Sequence, residues 1–210
     1  MLMVVCALVV GAQVAEKANV NYQTKEGRAQ LAKGLGAAER DEQQRPAELT
    51  ASLNLRPGMI VADIGTGVGY MLPFLSRAVG PNGRIYAEDI HADFLDAAKA
   101  KAAAERLTNL EFVLGTEDDP KLRPASLDAA LVLDAYHHFN YPDRMLAHIR
   151  SAVRPGGRLY IVEYYKTVIP DHIRMGPEEA VKEIEAAGFD LVSKSDHIAD
   201  EQYILVFARP

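Results

Sequence analysis

The chain has 210 residues, of which 49% are hydrophobic and 25% are charged, as in ordinary globular proteins. This length suits one well-filled domain with a short extension. The formal net charge of −6 at pH 7 argues against a nucleic-acid phosphate backbone as the main partner.

The N-terminal stretch is apolar. Residues 2–10 carry no charge and include the only cysteine, Cys6. This run is too short to cross a bilayer as a helix but long enough for the core of a signal peptide. We therefore expect residues 1–15 to form a signal-like segment that folding does not require; the alternative is a helix docked on the domain. Export and a cytoplasmic location both stay open, and membrane contact is expected only through this segment.

Residues 16–46 are polar and charged, which predicts an N-terminal extension rather than part of a core. Within it, residues 25–35 have helical character, and glycines are expected to end that helix. Pro46 favours the first position of a helix, so a short helix is predicted over residues 47–53.

A strand, a glycine loop and a helix follow one another in the centre of the chain. Residues 60–64 form a short apolar run typical of a buried parallel strand, and residues 71–79 have helical spacing. The turn between them carries glycine at three alternate positions, Gly65, Gly67 and Gly69. Because glycine lets a backbone bend sharply and approach a ligand closely, this turn predicts a small-molecule site at the carboxyl end of the strand.

The loop does not have the spacing of a dinucleotide-binding fingerprint. That fingerprint is G-x-G-x-x-G, whereas Tyr70 stands here where the third glycine would fall. Asp63 comes shortly before the loop, and its carboxylate would repel a pyrophosphate but attract a ligand with an ammonium group. A tight turn with no ligand is the alternative.

The rest of the chain alternates strands with helices, which predicts a doubly wound parallel α/β sheet. Strands are predicted at residues 84–90, 110–114, 127–133 and 158–163, and helices at residues 91–106, 140–153 and 178–187. Residues 189–196 and 202–208 predict a terminal hairpin. The Pro-Gly-Gly sequence at residues 155–157 is expected to form a turn before the fifth strand.

An acid ends the second predicted strand. Asp89 follows Gly65 at close to the offset, about 20 residues, at which an acid binds ribose hydroxyls in nucleotide-binding α/β folds. A carboxylate suits that task because it can accept hydrogen bonds from two adjacent hydroxyls. Ile90 would then lie against the adenine face. The alternative is that Asp89 caps the next helix.

Four features occur in the order found in one known family: an acid-x-G-x-G-x-G loop at residues 63–69, Asp89, Asp134 after the fourth strand, and Pro-Gly-Gly before the fifth. Residues 46–210 therefore resemble the class I S-adenosylmethionine-dependent methyltransferases, in particular the type 11-like group. The resemblance implies a Rossmann-like, seven-stranded methyltransferase core over residues 47–210, with an antiparallel last strand and a short helical extension before it.

The resemblance also implies S-adenosylmethionine as the cofactor and residues 16–46 as a segment that covers it. In the family, an acid in the loop after the third strand binds the adenine amino group, and here Thr116 and Glu117 occupy that place. Gln44 or Arg45 would meet the methionine carboxylate of the cofactor. The implied cofactor-binding residues are Asp63, Gly65, Thr66, Gly67, Gly69, Asp89, Ile90, Thr116, Glu117 and Asp134.

Candidate catalytic residues follow the fourth and fifth strands. His137 and His138 titrate near neutral pH at the mouth of the predicted sheet, so either is a candidate general base. Asp134 and Glu163 resemble the acids that hold a divalent cation in catechol-type O-methyltransferases, and this resemblance implies His137 as the base. Tyr164 stands where those enzymes place a further oxygen ligand, so no metal is expected. Further residues expected around the same pocket are His172, Tyr164 and Tyr165.

The expected reaction is in-line transfer of a methyl group to a small-molecule acceptor, with a protein side chain as a second acceptor class. Cys6 lies outside the domain, so no thiol serves cytosine C5 chemistry or arsenic methylation. Residues 134–137 lack the prolines of amino-methylating nucleic-acid enzymes, and we expect no nucleic-acid partner. The alternatives are a non-catalytic S-adenosylmethionine-binding protein and, less favoured, a nicotinamide-dependent oxidoreductase. The sequence does not indicate whether the protein is a monomer or an oligomer.

Overall fold

The computed structural model describes residues 13–37 and 39–210. The predicted signal-like segment therefore lies mostly outside the described residues. Its last members contact the domain, since the Val14 N–H donates to the Asn140 carbonyl (3.2 Å) and Ala15 is buried. Within the described ranges, no helix is long and apolar enough to cross a membrane.

Seven strands form a mixed sheet, which confirms the predicted doubly wound α/β fold with an antiparallel last strand. The strands are β1 (Ile60–Ile64), β2 (Arg84–Asp89), β3 (Leu110–Leu114), β4 (Leu127–Leu133), β5 (Val153–Tyr164), β6 (Asp190–Ile198) and β7 (Gln202–Ala208). Their order is β3-β2-β1-β4-β5-β7-β6, with β1 to β5 parallel and β7 antiparallel to β5 and β6. The order reverses between β1 and β4, and in such sheets ligands bind at the strand carboxyl ends beside that point.

Helices occupy both the extension and the connections between strands. In chain order they are α1 (Glu16–Asn19), α2 (Lys25–Leu35), α3 (Arg40–Gln44), α4 (Pro46–Ser52), α5 (Leu72–Val79), α6 (Ala92–Ala104), α7 (Pro142–Ala152) and α8 (Pro177–Ala186). The sequence predicts α2 and α4 to α8 to within a few residues, but not α1 or α3. α2 begins after Thr24 because the threonine hydroxyl accepts from the Gly27 N–H (3.1 Å) and satisfies a free donor of the first turn.

Apolar side chains fill both faces of the sheet. β4 is buried at every position, as a parallel strand covered on both faces should be. On one face, Leu146 and Ile149 of α7 pack into a cluster with Ile161 of β5. On the other face, Leu72 and Leu75 of α5 belong to a second buried cluster. This packing holds the carboxyl ends of the central strands at one rigid edge.

The fifth strand differs from the prediction. The sequence predicts a turn at residues 155–157, but β5 begins at Val153 and runs through it. The Gly156 N–H donates to the Arg209 carbonyl (2.7 Å), so the segment continues to pair with the end of the chain. Gly156 has a φ of +78°, which glycine adopts without strain. The glycine signal therefore marks a bend within the strand and not its boundary.

Candidate functional site

A cavity of about 220 Å³ opens at the carboxyl ends of β1, β2 and β4. It is lined by the glycine loop, by residues at these strand ends and by the N-terminal extension. The predicted site residues that line it are Asp63, Gly65, Thr66, Gly67, Asp89, Ile90, Glu117, Asp134 and His138. Those that lie outside its lining are Gly69, Thr116, His137 and Glu163. The structure thus brings most of the predicted cofactor residues to one place.

The three glycines of the loop have different roles. Their φ angles are +72° for Gly65, +56° for Gly67 and +81° for Gly69. A Cβ on Gly65 would lie 2.7 Å from the Cβ of Ala135, so this glycine lets the loop pack against the end of β4. A Cβ on Gly67 would meet Leu35 at 3.5 Å, an ordinary contact, and both residues line the cavity. Gly69 packs against α5 and α6 instead, so only the first two glycines face the site.

Asp63 and Asp89 are buried carboxylates that hold the loop in place. Asp63 Oδ2 accepts from the Thr66 hydroxyl (2.7 Å), and Asp89 accepts from the N–H groups of Gly67 and His91 (2.9 Å each). Burial raises the pKa of each carboxyl group to about 6. The N-cap residue of α6 is His91, so Asp89 does not adopt the capping alternative. Its remaining lone pairs can accept ribose hydroxyls.

Glu88, which sequence reasoning missed, also lines the cavity. It is 1% exposed, and its Oε2 accepts from the Gly65 N–H (3.3 Å). Its Oε1 is buried without a hydrogen-bond partner among the described residues. Burial and the neighbouring Asp89 charge raise the pKa of Glu88 well above its usual range. The available signal was a second acid directly before Asp89 at the end of β2.

Asp134 follows β4 with a φ of +49°, a left-handed conformation that aspartate tolerates better than most residues. Its Oδ2 accepts from Gln44 Nε2 (2.8 Å) and Arg40 Nη2 (3.3 Å). Its Oδ1 accepts from Gln202 Nε2 (2.8 Å). Burial, together with the charge of Glu163, raises the pKa of Asp134 to about 7. Three donors from outside β4 therefore hold this carboxylate at the cavity wall.

The guanidinium that reaches the site belongs to Arg40, in place of the Arg45 suggested by the sequence. Arg45 is half exposed and pairs with Glu48 (3.8 Å). Arg40 lines the cavity with its guanidinium 4.2 Å from the centre of the Tyr70 ring. Gln44, the other candidate for the methionine carboxylate, is buried outside the cavity lining. Arg40 was missed because the sequence did not predict α3.

The N-terminal extension forms one side of the cavity. Asn19 and Tyr22 line it, and the Tyr22 ring lies 4.5 Å from the His138 ring and 6.0 Å from the His91 ring. Asn19 Nδ2 donates to the His138 carbonyl (3.0 Å), which ties α1 to the segment after β4. Burial and the charge of Asp89 raise the pKa of Tyr22 to about 12, so its hydroxyl stays protonated.

The loop after β3 contributes one residue to the cavity. Glu117 lines it, and its Oε2 accepts from Gln13 Nε2 (3.2 Å). The Thr116 hydroxyl donates to Asp118 Oδ1 (2.9 Å) within its own turn. Ile90 is partly exposed beside the cavity, just beyond the end of β2. Glu117 and not Thr116 is therefore the side chain of this loop that faces the site.

Three histidines meet beside the cavity. His137 Nδ1 lies 2.6 Å from Glu163 Oε2, and its Nε2 lies 3.0 Å from His172 Nε2. Burial opposes protonation of His137, but the Glu163 carboxylate outweighs this and raises its pKa. Burial and the charge of His137 lower the pKa of His138 well below its usual range. Of the three, only His138 lines the cavity.

The remaining predicted residues lie away from the cavity. Leu133 pairs with Val162, so Asp134 and Glu163 do follow neighbouring strand positions, as predicted. Their carboxylates form hydrogen bonds with different partners, however: Asp134 with Gln44 and Glu163 with His137. The two tyrosines after β5 are outside the cavity lining: Tyr164 accepts from Gln44 Nε2 (2.8 Å), and Tyr165 donates to Asp196 Oδ1 (2.6 Å).

Comparison with known proteins identifies the domain. Residues 61–157 match a family model described as "Methyltransferase domain". A solved structure, a SAM-dependent methyltransferase from Aquifex aeolicus, has a TM-score of 0.81 with this chain at 24% identity. The match covers 86% of this chain and 98% of the Aquifex aeolicus chain, and it shows that the two proteins share a fold. Residues 61–157 thus match a methyltransferase domain, and the fold is similar to that of class I methyltransferases. S-adenosylmethionine is the cofactor of this family.

Curated relatives of the methyltransferase domain are longer than this chain. The ubiquinone/menaquinone biosynthesis C-methyltransferase UbiE of Burkholderia cenocepacia is 27% identical over 120 residues, 57% of this chain and 49% of that protein. An uncharacterized 37.1 kDa protein in transposon TN4556 of Streptomyces fradiae is 34% identical over 112 residues, 53% of this chain and 32% of that protein. The chain thus spans half or less of the length of these relatives.

The methyltransferase cavity fits S-adenosylmethionine chemically. The cofactor carries a sulfonium and an ammonium group, and six carboxyl groups line the cavity: Glu16, Asp63, Glu88, Asp89, Glu117 and Asp134. Arg40 offers a cationic partner for its carboxylate. Gly67 leaves open a space that a Cβ would enter.

Proposed function

We propose that this protein transfers a methyl group from S-adenosylmethionine to a small-molecule acceptor by in-line displacement. The observation that carries the proposal is the cavity itself, in which a glycine loop, six acids and one guanidinium converge at the strand carboxyl ends. When bound, S-adenosylmethionine supplies a methyl group on a positively charged sulfur atom, so alignment of the acceptor contributes more than covalent catalysis. The chain's own residues provide that alignment.

Each end of the cofactor has a proposed partner. Asp89 accepts the ribose hydroxyls, since it stands at the end of β2 with lone pairs still free. Arg40 donates to the methionine carboxylate, and Asp134 beside it attracts the ammonium group. Ile90 packs on the adenine face, and Glu117 accepts from the adenine amino group.

In the metal-free protein, His138 is the proposed general base. Asn19 Nδ2 donates to the His138 carbonyl (3.0 Å) and to Asn140 Oδ1 (3.2 Å), so the Asn19 Oδ1 must accept from His138 Nδ1–H (2.8 Å). This leaves His138 Nε2 unprotonated and able to take a proton from a hydroxyl or thiol of the acceptor. His137, held by Glu163, packs against the His138 ring at 4.0 Å and positions it.

Titration calorimetry with S-adenosylmethionine tests the cofactor assignment. Asp89→Ala should weaken binding by about 1–3 kcal/mol, or about 5- to 150-fold, because a charged hydrogen-bond acceptor is lost. Asp96→Ala, an exposed acid on α6 that pairs with Lys99, is the matched control and should bind as the wild type does. Wild-type affinity in Asp89→Ala would contradict the assignment.

A second assay separates catalysis from binding alone. Release of S-adenosylhomocysteine is measured with a panel of small phenols, alcohols, thiols and amines, and we expect turnover with at least one hydroxyl or thiol. Tight cofactor binding without turnover on any member of the panel would favour the non-catalytic alternative.

A further inference from the structure

We infer that His137, His138 and His172 form a binding site for one divalent transition-metal ion of the zinc type. One ring nitrogen from each lies within 4.8 Å of those from the other two. The Nε2 atoms of His137 and His172 are 3.0 Å apart. Two nitrogens bound to one tetrahedral zinc at about 2.0–2.1 Å are separated by about 3.3 Å. The His137–His172 pair would therefore need to open by only a few tenths of an ångström. Any nitrogen pair at the 4.8 Å limit would need to close by about 1.5 Å, which side-chain rotation can provide.

Residues behind the cluster fix the ring protons as metal binding requires. Glu163 Oε2 accepts from His137 Nδ1–H (2.6 Å), which leaves the His137 Nε2 lone pair free. Asn19 does the same for His138, since its Oδ1 accepts from His138 Nδ1–H (2.8 Å). A carboxylate or carbonyl oxygen bound to the far nitrogen of a ligating histidine is the usual arrangement in protein metal sites.

The contact between His137 and His172 can hold either a proton or a metal ion. Two nitrogen lone pairs 3.0 Å apart repel each other unless a proton or a cation lies between them. A shared proton accounts for the metal-free form, and a metal ion would replace that proton. Imidazole donors favour zinc, cobalt, nickel and copper over magnesium and calcium, which prefer oxygen. The chemical class of the ion is therefore set by the donor set.

The position of the cluster gives the ion a place beside the reaction site. His138 belongs to the cluster and also lines the cofactor cavity, so the ion would lie at the cavity wall. Three protein nitrogens leave a fourth coordination position open, as in catalytic rather than structural zinc sites. A metal ion would occupy the nitrogen proposed above as the base. The two roles of His138 therefore exclude each other, and one bound ion per chain would assign it to the metal.

Metal titration of the full, tag-free chain tests the inference directly. The protein is stripped with a chelator and titrated with Zn²⁺ by calorimetry, with Co²⁺ by visible absorption, and with Mg²⁺ in parallel. We expect one Zn²⁺ per chain, a cobalt spectrum of tetrahedral type, and no Mg²⁺ binding. His172→Ala should lower zinc affinity by at least about 100-fold, and Glu163→Gln by about 10- to 100-fold. His148→Ala, 53% exposed and outside the cluster, is the matched control.

The possible results of the metal titration lead to different conclusions about the cluster. Absence of Zn²⁺ binding, or equal affinity in His172→Ala and His148→Ala, would overturn the inference and leave the cluster as a hydrogen-bonded relay. His172 is only partly buried in the loop after β5, so its variant should stay folded, and thermal melting checks this. The readout needs neither cofactor nor acceptor. Failure of methyl transfer would thus leave the metal result standing, and the reverse also holds.

Discussion

Replacing Gly67 with alanine should weaken cofactor binding at a small cost in stability. The φ of Gly67 is +56°, a region where an alanine costs about 1–2 kcal/mol. In a domain of this size each kcal/mol lowers the melting temperature by about 2–4 °C, so a loss of about 2–8 °C is expected. The added methyl would meet only Leu35, at an ordinary 3.5 Å, so no further folding cost arises. It would project into the cavity, where overpacking against the cofactor costs about 1–3 kcal/mol, or about 5- to 150-fold in affinity.

Gly156→Ala is the matched control for this prediction. Gly156 has a φ of +78° with no atom within 4 Å of an added Cβ, and it lies in β5 away from the cavity. The control should lose similar stability in differential scanning calorimetry but keep wild-type affinity in titrations with S-adenosylmethionine. Equal affinity in the two variants would refute the claim that Gly67 faces the cofactor. A much larger loss of melting temperature in Gly67→Ala than in Gly156→Ala would refute the steric argument.

Three further outcomes follow from the cavity. Cofactor affinity should rise about tenfold or more from pH 5 to pH 7. Burial raises the pKa of Asp134 to about 7, and only the ionised carboxylate attracts the cationic cofactor. Calorimetric titrations at three pH values check this, and an affinity that does not change with pH would contradict it. Arg40→Ala should cost about 1.5–3 kcal/mol in cofactor binding, whereas Arg45→Ala, at the exposed position, should cost nothing measurable by the same titration. In metal-free protein with saturating cofactor, His138→Ala should lower turnover by about 10²–10⁴-fold, and unchanged turnover would leave catalysis to proximity alone.

The sheet could be predicted because each strand has a local signature. The apolar run Ile60–Ile64 and the fully buried Leu127–Leu133 have the composition of parallel strands covered on both faces. The order of the strands follows from right-handed crossovers and from the family resemblance. The Pro-Gly-Gly segment misled the prediction because a glycine with positive φ marks a turn and a bend within a strand equally well.

The site was predictable where its residues follow strands and much less so where they come from the extension. Asp63, Asp89 and Asp134 stand at strand ends, so their meeting at one edge follows from a parallel sheet. Arg40 and Tyr22 reach the cavity by tertiary packing of short helices and turns, which have no strong periodic pattern of their own.

The histidine cluster was only half visible in the sequence. The adjacent His137 and His138 indicated a site and His172 was expected around the same pocket, but close contact of all three rings depends on how β5 and its loop fold back. The sequence-based expectation that no metal binds relied on carboxylate ligands at the strand ends. It did not consider three imidazoles, which only the folded chain brings together.

Parallel calorimetric titrations with S-adenosylmethionine and NAD⁺ test the central claim most directly. Among the described residues, six acids and a single arginine line the cavity, so a cationic cofactor is attracted to it and a pyrophosphate is repelled. We predict one equivalent of S-adenosylmethionine bound per chain and no measurable binding of NAD⁺. Binding of NAD⁺ with no binding of S-adenosylmethionine would contradict the account and assign the cavity to a nicotinamide cofactor.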